Sequence, residues 1–413
     1  MFISLKQKNI ILITFLTSPL SLFGNNILNK NKDNIFYFQK KEILVEKKKN
    51  QVSWINDINL SFKYNNNYND IYKNGSDDYT SVNLTIRNKI FDSSIYNALF
   101  NSDVIKNVSM HNLNKNKLNF INTIYLKMFE YQKNKFIIDK YLNTRKNLST
   151  DRDILFNNKI LGLNTELDIN QIELKILNID LNLENLKDDN HNILNFLHNN
   201  SSIKYDSDIE RFIIHIIEIL NKEMNKIDIT NSFEEQEYNN KIKLKNTNIN
   251  VEKYKKFGYL EVSYSYSYQK DPYQFRIITK DENFKHNHNL ELKYNIPLYS
   301  IKSNMNSELL RVQKLKLLSE QSFNKSNFKN NKDLFHKKIE SFNKRIEIIT
   351  KNIIILEKIH LNNKADYENN LIIMSEMNKS NNSFENGILD LQIEKNKKYT
   401  YILNYLKSFN ISY

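Results

Sequence analysis

Leu260-Glu261-Val262-Ser263-Tyr264-Ser265-Tyr266-Ser267-Tyr268 decides how the rest of this chain is read. Apolar and aromatic residues hold the even positions; Glu261 and three serines hold the odd ones. In an extended strand successive side chains point to opposite faces, so this stretch has one greasy face and one wet face. Three other segments repeat the pattern. Ile58, Leu60, Phe62 and Tyr64 alternate with Asn59, Ser61 and Lys63, with Trp54 just upstream. Val82, Leu84 and Ile86 alternate with Asn83, Thr85 and Arg87. Leu290, Leu292, Tyr294 and Ile296 alternate with Glu291, Lys293 and Asn295. Strand pairs are expected at 54–64/82–90 and 259–268/288–298. The spacers are polar and carry Gly75 and Pro272. His286 and His288 fall in the second spacer and read as a solvated pair in an external loop, not a metal site.

Between the strand pairs the period becomes helical. Phe335, Ile339, Phe342, Ile346, Ile349, Ile353 and Leu356 recur every 4 and 3 residues. Ile169, Ile172, Ile176, Ile179, Leu183, Leu186, Asn190, Ile193 and Leu197 do the same, with one polar slot. Such spacing is a coiled-coil seam. No Gly or Pro occurs from 76 to 161 or from 298 to 386, so nothing breaks a very long helix there. The stretch from Asp92 to Gly162 covers 162 − 92 = 70 positions, or about 105 Å of helix. A compact domain of this length has a radius of only about 22 Å. An elongated molecule is therefore expected.

Composition agrees. The 413 residues include only 5 Gly and 3 Pro. Folds with many turns are disfavoured, and neither G-x-G-x-x-G nor G-x-x-x-x-G-K can be written. The chain has no Cys, which removes disulfides, thiolate metal sites and thiol catalysis. The His residues are scattered without an H-E-x-x-H, and no Ser/His/Asp arrangement emerges from spacing. No enzyme, cofactor or metal is expected. The net charge of +13 reflects lysines scattered over the chain, with no dense patch beyond Lys47-Lys48-Lys49; nucleic acid is not the expected partner. Residues 1–24 read as a secretory signal: Lys6 and Lys8 precede a short apolar run, Ile10 to Leu16, then Ser18, Pro19 and Ser21. No later segment approaches 18 apolar residues, so any span must be made of strands.

The chain also repeats. The segment at 82–92 aligns with that at 290–300 at an offset of 208, which also takes Gly162 to Asn370 and Asp168 to Glu376. Residues 25–205 and 206–413 are read as two copies of one unit: helix, strand pair, and long helical hairpin with its tip near 162 or 370. Four strands cannot close a barrel, which takes eight or so. Several copies, each giving two hairpins, would close one with the apolar faces towards lipid and the polar faces towards a wet lumen. The expected fold class is an α+β membrane protein: a long antiparallel coiled-coil barrel plus a shared β-barrel.

At this point the residues resemble the TolC-like outer-membrane efflux protein family, over about 35–410. The strand-to-helix junctions Ile90-Phe91-Asp92 and Ile296-Pro297-Leu298-Tyr299 are similar to its PLF-D/G signature. Gly162-Leu163-Asn164-Thr165-Glu166-Leu167-Asp168 is similar to its G-x-x-S/T-x-x-D hairpin tip. The second tip keeps Tyr367 three residues before the turn and Glu376 six after it. The resemblance implies a homotrimer with a 12-stranded outer-membrane barrel and a periplasmic tunnel of twelve helices. It implies docking to a periplasmic adaptor and an inner-membrane transporter of an efflux pump or type I secretion system. Gly162, Asn164, Thr165, Tyr367, Asn370 and Ile373 become adaptor contacts, and Asp168, Glu376 and Lys379 become pore-constriction positions. The sequence departs from the family in places. Asn370 and Ile373 replace the second tip's Gly and Ser/Thr, Lys379 stands where some members have a second acid, and the lipid-attachment Cys is absent. The region before the first strand is short, so the first helix is expected to be missing or truncated.

Two readings stand for each tip. Asp168 and Glu376 are either acidic rings that select cations or first-turn carboxylates favoured by the helix dipole, and both can hold. Gly162 and Thr165 are either adaptor contacts or plain C-cap and N-cap residues. A soluble periplasmic coiled-coil adaptor or tether is the alternative for the whole chain. It should carry one central hairpin and Gly-rich β turns; this chain has two hairpins and few Gly.

Overall fold

The structure is a computed structural model describing residues 27–52, 58–67, 77–163, 165–203, 205–224, 227–270, 284–297, 301–369 and 371–409. Residues 1–24, read above as a secretory signal, Trp54, Asn164, Asn370 and residues 298–300 lie outside these. Helix α1 (Lys30–Val52) precedes strands β1 (Ile58–Asn67) and β2 (Asp77–Phe91). Helix α2 (Ser102–Ile160) and α3 (Glu166–Asn200) form the first hairpin, followed by α4 (Asp206–Glu223) and α5 (Phe233–Tyr254). Strands β3 (Tyr259–Lys270) and β4 (Phe284–Asn295) lead to the second hairpin, α6 (Ile301–Glu368) and α7 (Met374–Leu406). Helices α2 and α6 hold 59 and 68 residues, about 88 and 102 Å at 1.5 Å per residue. Among the described residues no helix is long and apolar enough to cross a membrane.

Three elements differ from the sequence expectation. Helix α1 is present and 23 residues long, so the first helix is not missing. Its lysine-rich sequence buries no residue completely, so it shows no apolar stripe. What holds it is lateral: Phe36 meets the Phe120 ring at 6.4 Å, Lys117 Nζ reaches Asp33 Oδ1 at 3.2 Å, and Lys47 Nζ reaches Asp103 Oδ1 at 2.5 Å. The run from Asp92 to Gly162 is not one α-helix. A turn at Ser93–Tyr96 passes through a π-helical turn at Asn97–Asn101 before α2 begins. There the Asn101 amide bonds Asn97 and, at 2.9 Å, Asn248 of α5. Finally, β4 begins at Phe284, so His286 and His288 are strand residues opposite Tyr268 and Tyr266. The Tyr264 hydroxyl lies 2.8 Å from His288 Nδ1.

The chain forms two contact units. In the unit built from residues 1–36, 115–233 and 327–413, the core centres on Ile124, Tyr125, Met128, Phe129, Leu197 and Phe335, all fully buried. Helix α4 closes it with Ile209, Ile213, Ile216 and Leu220, spaced 4, 3 and 4 along one face. The Phe335 ring stacks on Tyr405 at 4.1 Å.

The other unit holds the sheet, ordered β1-β2-β3-β4 and antiparallel throughout. Ile58, Ile86, Tyr264 and Leu290 share one cross-strand row, and Leu60, Leu84, Tyr266 and His288 share the next. The polar positions form the intervening rows, such as Asn59, Thr85, Ser265 and Asn289. A bulge between Lys89 and Phe91 shifts the register of β2 on β3 before their last pair, Phe91 with Leu260. Gly258 turns α5 into β3 at φ +73°, and a Cβ there would lie 1.8 Å from the Asn295 carbonyl oxygen. Only glycine fits that junction.

Candidate functional site: the two hairpin tips

At the first tip α2 ends in a left-handed glycine. Gly162 has φ +75°, its N–H donates to Lys159 O at 2.9 Å, and Leu163 N–H donates to Asn158 O at 2.8 Å. This closes the last carbonyls of the helix in the usual glycine C-cap manner. Helix α3 starts with a capping box. Thr165 N–H donates to Asp168 Oδ2 at 2.9 Å, the Thr165 hydroxyl donates to the same oxygen at 2.7 Å, and Asp168 N–H returns a bond to Thr165 Oγ1 at 3.4 Å. The hydrogen bonds from the Thr165 hydroxyl and backbone hold the Asp168 carboxyl below the usual carboxylate range.

The second tip reaches the same turn with different residues. Leu371 N–H donates to Asp366 O at 2.8 Å, the bond made at the first tip by Leu163 and Asn158, 208 positions earlier. The N-cap of α7 differs. Ile373 has an extended backbone, φ −83° and ψ 154°, and no side-chain cap. Glu376 N–H meets only the Ile373 carbonyl, at 3.1 Å. The Glu376 carboxylate is exposed and has no partner among the described residues. Tyr367 is at the edge of exposure in the last turn of α6. Large apolar side chains are exposed at both tips: Ile160, Leu161, Leu163 and Leu167 at the first, Leu371, Ile373 and Met374 at the second.

Lys379 is held by a residue that the sequence reading missed. Its Nζ lies 2.5 Å from Asp151 Oδ1 on α2. That pair begins a polar seam between α2 and α7. Asn147 bonds Asn382, Asn143 Nδ2 donates to Glu385 Oε2 at 3.1 Å, and Lys140 Nζ donates to Asp390 Oδ1 at 2.7 Å. Asn396 Nδ2 closes it on Phe129 O at 3.0 Å. Residues 140, 143, 147 and 151 recur every 3 or 4 positions. That periodicity is a seam signal written in polar residues, which a search for apolar stripes passes over. The structure brings Asp168 to Thr165 and Lys379 to Asp151; Asp168 and Glu376 share no partner.

No family profile matches the sequence, and no curated protein matches it in sequence. Solved structures do. The outer membrane protein VceC from Vibrio cholerae superposes with a TM-score of 0.66 at 9% identity, over 94% of this chain and 95% of that one. The Campylobacter jejuni CmeC outer membrane channel gives 0.63 at 11% identity, over 95% and 84%. The Neisseria gonorrhoeae MtrE outer membrane channel, in its open state, gives 0.59 at 11% identity, over 94% and 88%. The fold is that of the TolC-like outer-membrane channels, over nearly the whole chain.

Proposed function

We propose that this chain is one protomer of a homotrimeric outer-membrane channel that carries solutes passively out of the periplasm. The observation behind this reading is the state of the sheet. Its apolar rows are uncovered: Leu290 is 74% and Leu292 68% exposed. Its edge strands β1 and β4 each lack a second neighbour among the described strands. An apolar face and two open edges are unstable in water. Three copies would pair β4 of one with β1 of the next, close a 12-stranded barrel and give the apolar rows to lipid.

The tips supply the partner reading. Exposed leucines, isoleucines and a methionine at both turns suit an apolar protein surface, and the partner class is a periplasmic adaptor coupled to an inner-membrane transporter. Gly162, Asn164, Thr165, Tyr367, Asn370 and Ile373 are the proposed contacts, and Asp168, Glu376 and Lys379 the proposed constriction. Efflux pump and type I secretion system are equally served by such a conduit.

The test is membrane fractionation with gel electrophoresis before and after boiling. A heat-modifiable, SDS-resistant trimer in the outer-membrane fraction is expected; a monomer in the soluble periplasmic fraction would overturn the reading. In planar bilayers, replacing Asp168 and Glu376 with Asn and Gln should lower cation selectivity. Unchanged selectivity would remove them from the constriction.

A further inference from the structure

Helix α5 ends where β3 begins, and its last turns carry an uneven distribution of charge. Lys253 and Lys256 are exposed, as is Lys302 in the first turn of α6. None of the three has a partner among the described residues. Two neighbouring acids are engaged. Glu252 is buried, accepts from Lys255 Nζ at 2.6 Å and lies 3.2 Å from the Ser303 hydroxyl. Asp92 accepts from Lys89 Nζ at 2.9 Å. Ser303 Oγ also donates to Glu252 O at 3.2 Å, which sets Lys302 beside the turn that carries Lys253. Among the described residues the helix side of the sheet therefore carries three exposed ammonium groups without partners, while Glu252 and Asp92 beside them are engaged.

A second observation marks the same level. Tyr96 and Tyr254 lie with ring centroids 4.2 Å apart, and Tyr254 and Phe257 at 6.2 Å. The Tyr294 hydroxyl, on the last apolar row of β4, donates to Phe257 O at 3.2 Å. Phe257 is exposed and lies four residues beyond Lys253, at the end of the 3-10 turn that follows α5. Aromatic rings with polar tips beside an apolar sheet face occupy the boundary between hydrocarbon and headgroups. Lysines one turn further from the sheet reach the phosphate layer.

We propose that Lys253, Lys256 and Lys302 form a basic collar that binds anionic phospholipid headgroups of the leaflet facing the helices. The inference rests on the outer-membrane reading and adds a lipid preference to it. The lysines act as point charges on phosphate, the aromatic rings fix the depth, and the engaged acids leave the attraction unopposed.

The full-length protein in neutral detergent is titrated with dansyl-labelled phosphatidylglycerol and, separately, dansyl-labelled phosphatidylcholine. At low salt the anionic lipid should bind more tightly by roughly a hundredfold, about fivefold per lysine. The preference should collapse near 1 M salt, where the screening length falls to about 3 Å. The K253Q/K256Q/K302Q variant should lose the preference, and K253R/K256R/K302R should keep it. Equal binding of the two lipids by the native protein, or a preference that survives in the glutamine variant, would overturn the collar. Conductance in phosphatidylcholine bilayers separates the two claims. Channels without lipid preference refute the collar alone, whereas failure to form channels refutes the outer-membrane reading beneath it.

Discussion

Ile373→Thr tests the second tip at its weakest point. Ile373 already has the extended backbone of an N-cap but offers no acceptor, and Glu376 waits three residues on. Threonine would complete the Thr-x-x-Glu capping box that the first tip makes with Thr165 and Asp168. A side-chain cap contributes ~1 kcal/mol. Ile373 is 60% exposed, and the change removes the equivalent of about two carbons, each contributing ~0.8 kcal/mol when fully buried. With two-fifths buried, the loss is about 0.6 kcal/mol, so the net local gain is only a few tenths. Global melting of a chain this long would not register it. Hydrogen exchange would: the amides of Ser375 and Glu376 should slow about twofold, since ~0.4 kcal/mol is a factor of two in an opening equilibrium. Docking should move the other way. The exposed three-fifths of those two carbons amounts to ~1 kcal/mol per protomer against an apolar partner, and about 3 kcal/mol over three copies. That is a loss of more than a hundredfold in affinity, and ethidium should accumulate in cells carrying the variant. Unslowed amides would refute the capping argument. Slowed amides with native ethidium export would show that the partner does not use Ile373.

Gly258→Ala should prevent native folding, because the new Cβ meets the Asn295 carbonyl at 1.8 Å in a left-handed backbone; a native trimer yield on gels would contradict this. Gly387→Ala should change stability little, since the helix-propensity gain of ~1 kcal/mol offsets contacts of 3.1 and 3.3 Å with Leu356 and Ile353. Gly387→Val should destabilise by about 1–3 kcal/mol through overpacking, as read by urea unfolding. Asp168 has a depressed carboxyl pKa when folded, so its contribution is present above the unfolded pKa and is lost as pH falls through the folded one. Exchange at the first turn of α3 should therefore stay slow at pH 5 and quicken below pH ~4, and Thr165→Ala, which removes the hydroxyl bond but keeps the backbone N–H bond, should weaken that pH dependence. Lys379→Glu places two carboxylates together at Asp151 and should raise channel conductance, whereas the swap D151K/K379E should restore the native value; failure of the swap to restore it would remove the pair from the proposed constriction.

The sheet was legible because its signal is local. Period-two alternation sits within each strand, and the register then aligns Ile58, Ile86, Tyr264 and Leu290 in one row. The strand ends were less so. His286 and His288 are polar in a spacer full of polar residues, and only pairing with Tyr268 and Tyr266 extends β4 over them. Helix α1 escaped because its contacts are lateral ion pairs and a single aromatic contact, which leave no apolar stripe. Thr165 and Asp168 could be read as a cap from their spacing alone. Asp151 could not be read as the partner of Lys379, because 228 residues separate them and the bond exists only once α2 lies along α7.

The two flanks of α7 are held by different kinds of contact. Towards α6, Gly387 lets Leu356 and Ile353 approach closely, an apolar contact that costs buried area to part. Towards α2, the contacts are Lys379 with Asp151, Asn382 with Asn147, Glu385 with Asn143 and Asp390 with Lys140. Such groups exchange protein partners for water at a net of about 1 kcal/mol each or less. The hairpin of α6 and α7 is thus bound internally by packing and laterally by exchangeable polar bonds. A strain applied at the tips will part α7 from α2 first over positions 379–390, where the seam is mostly polar, and will stop where Met128 and Phe129 of α2 share a buried core with Ile402 and Leu403 of α7.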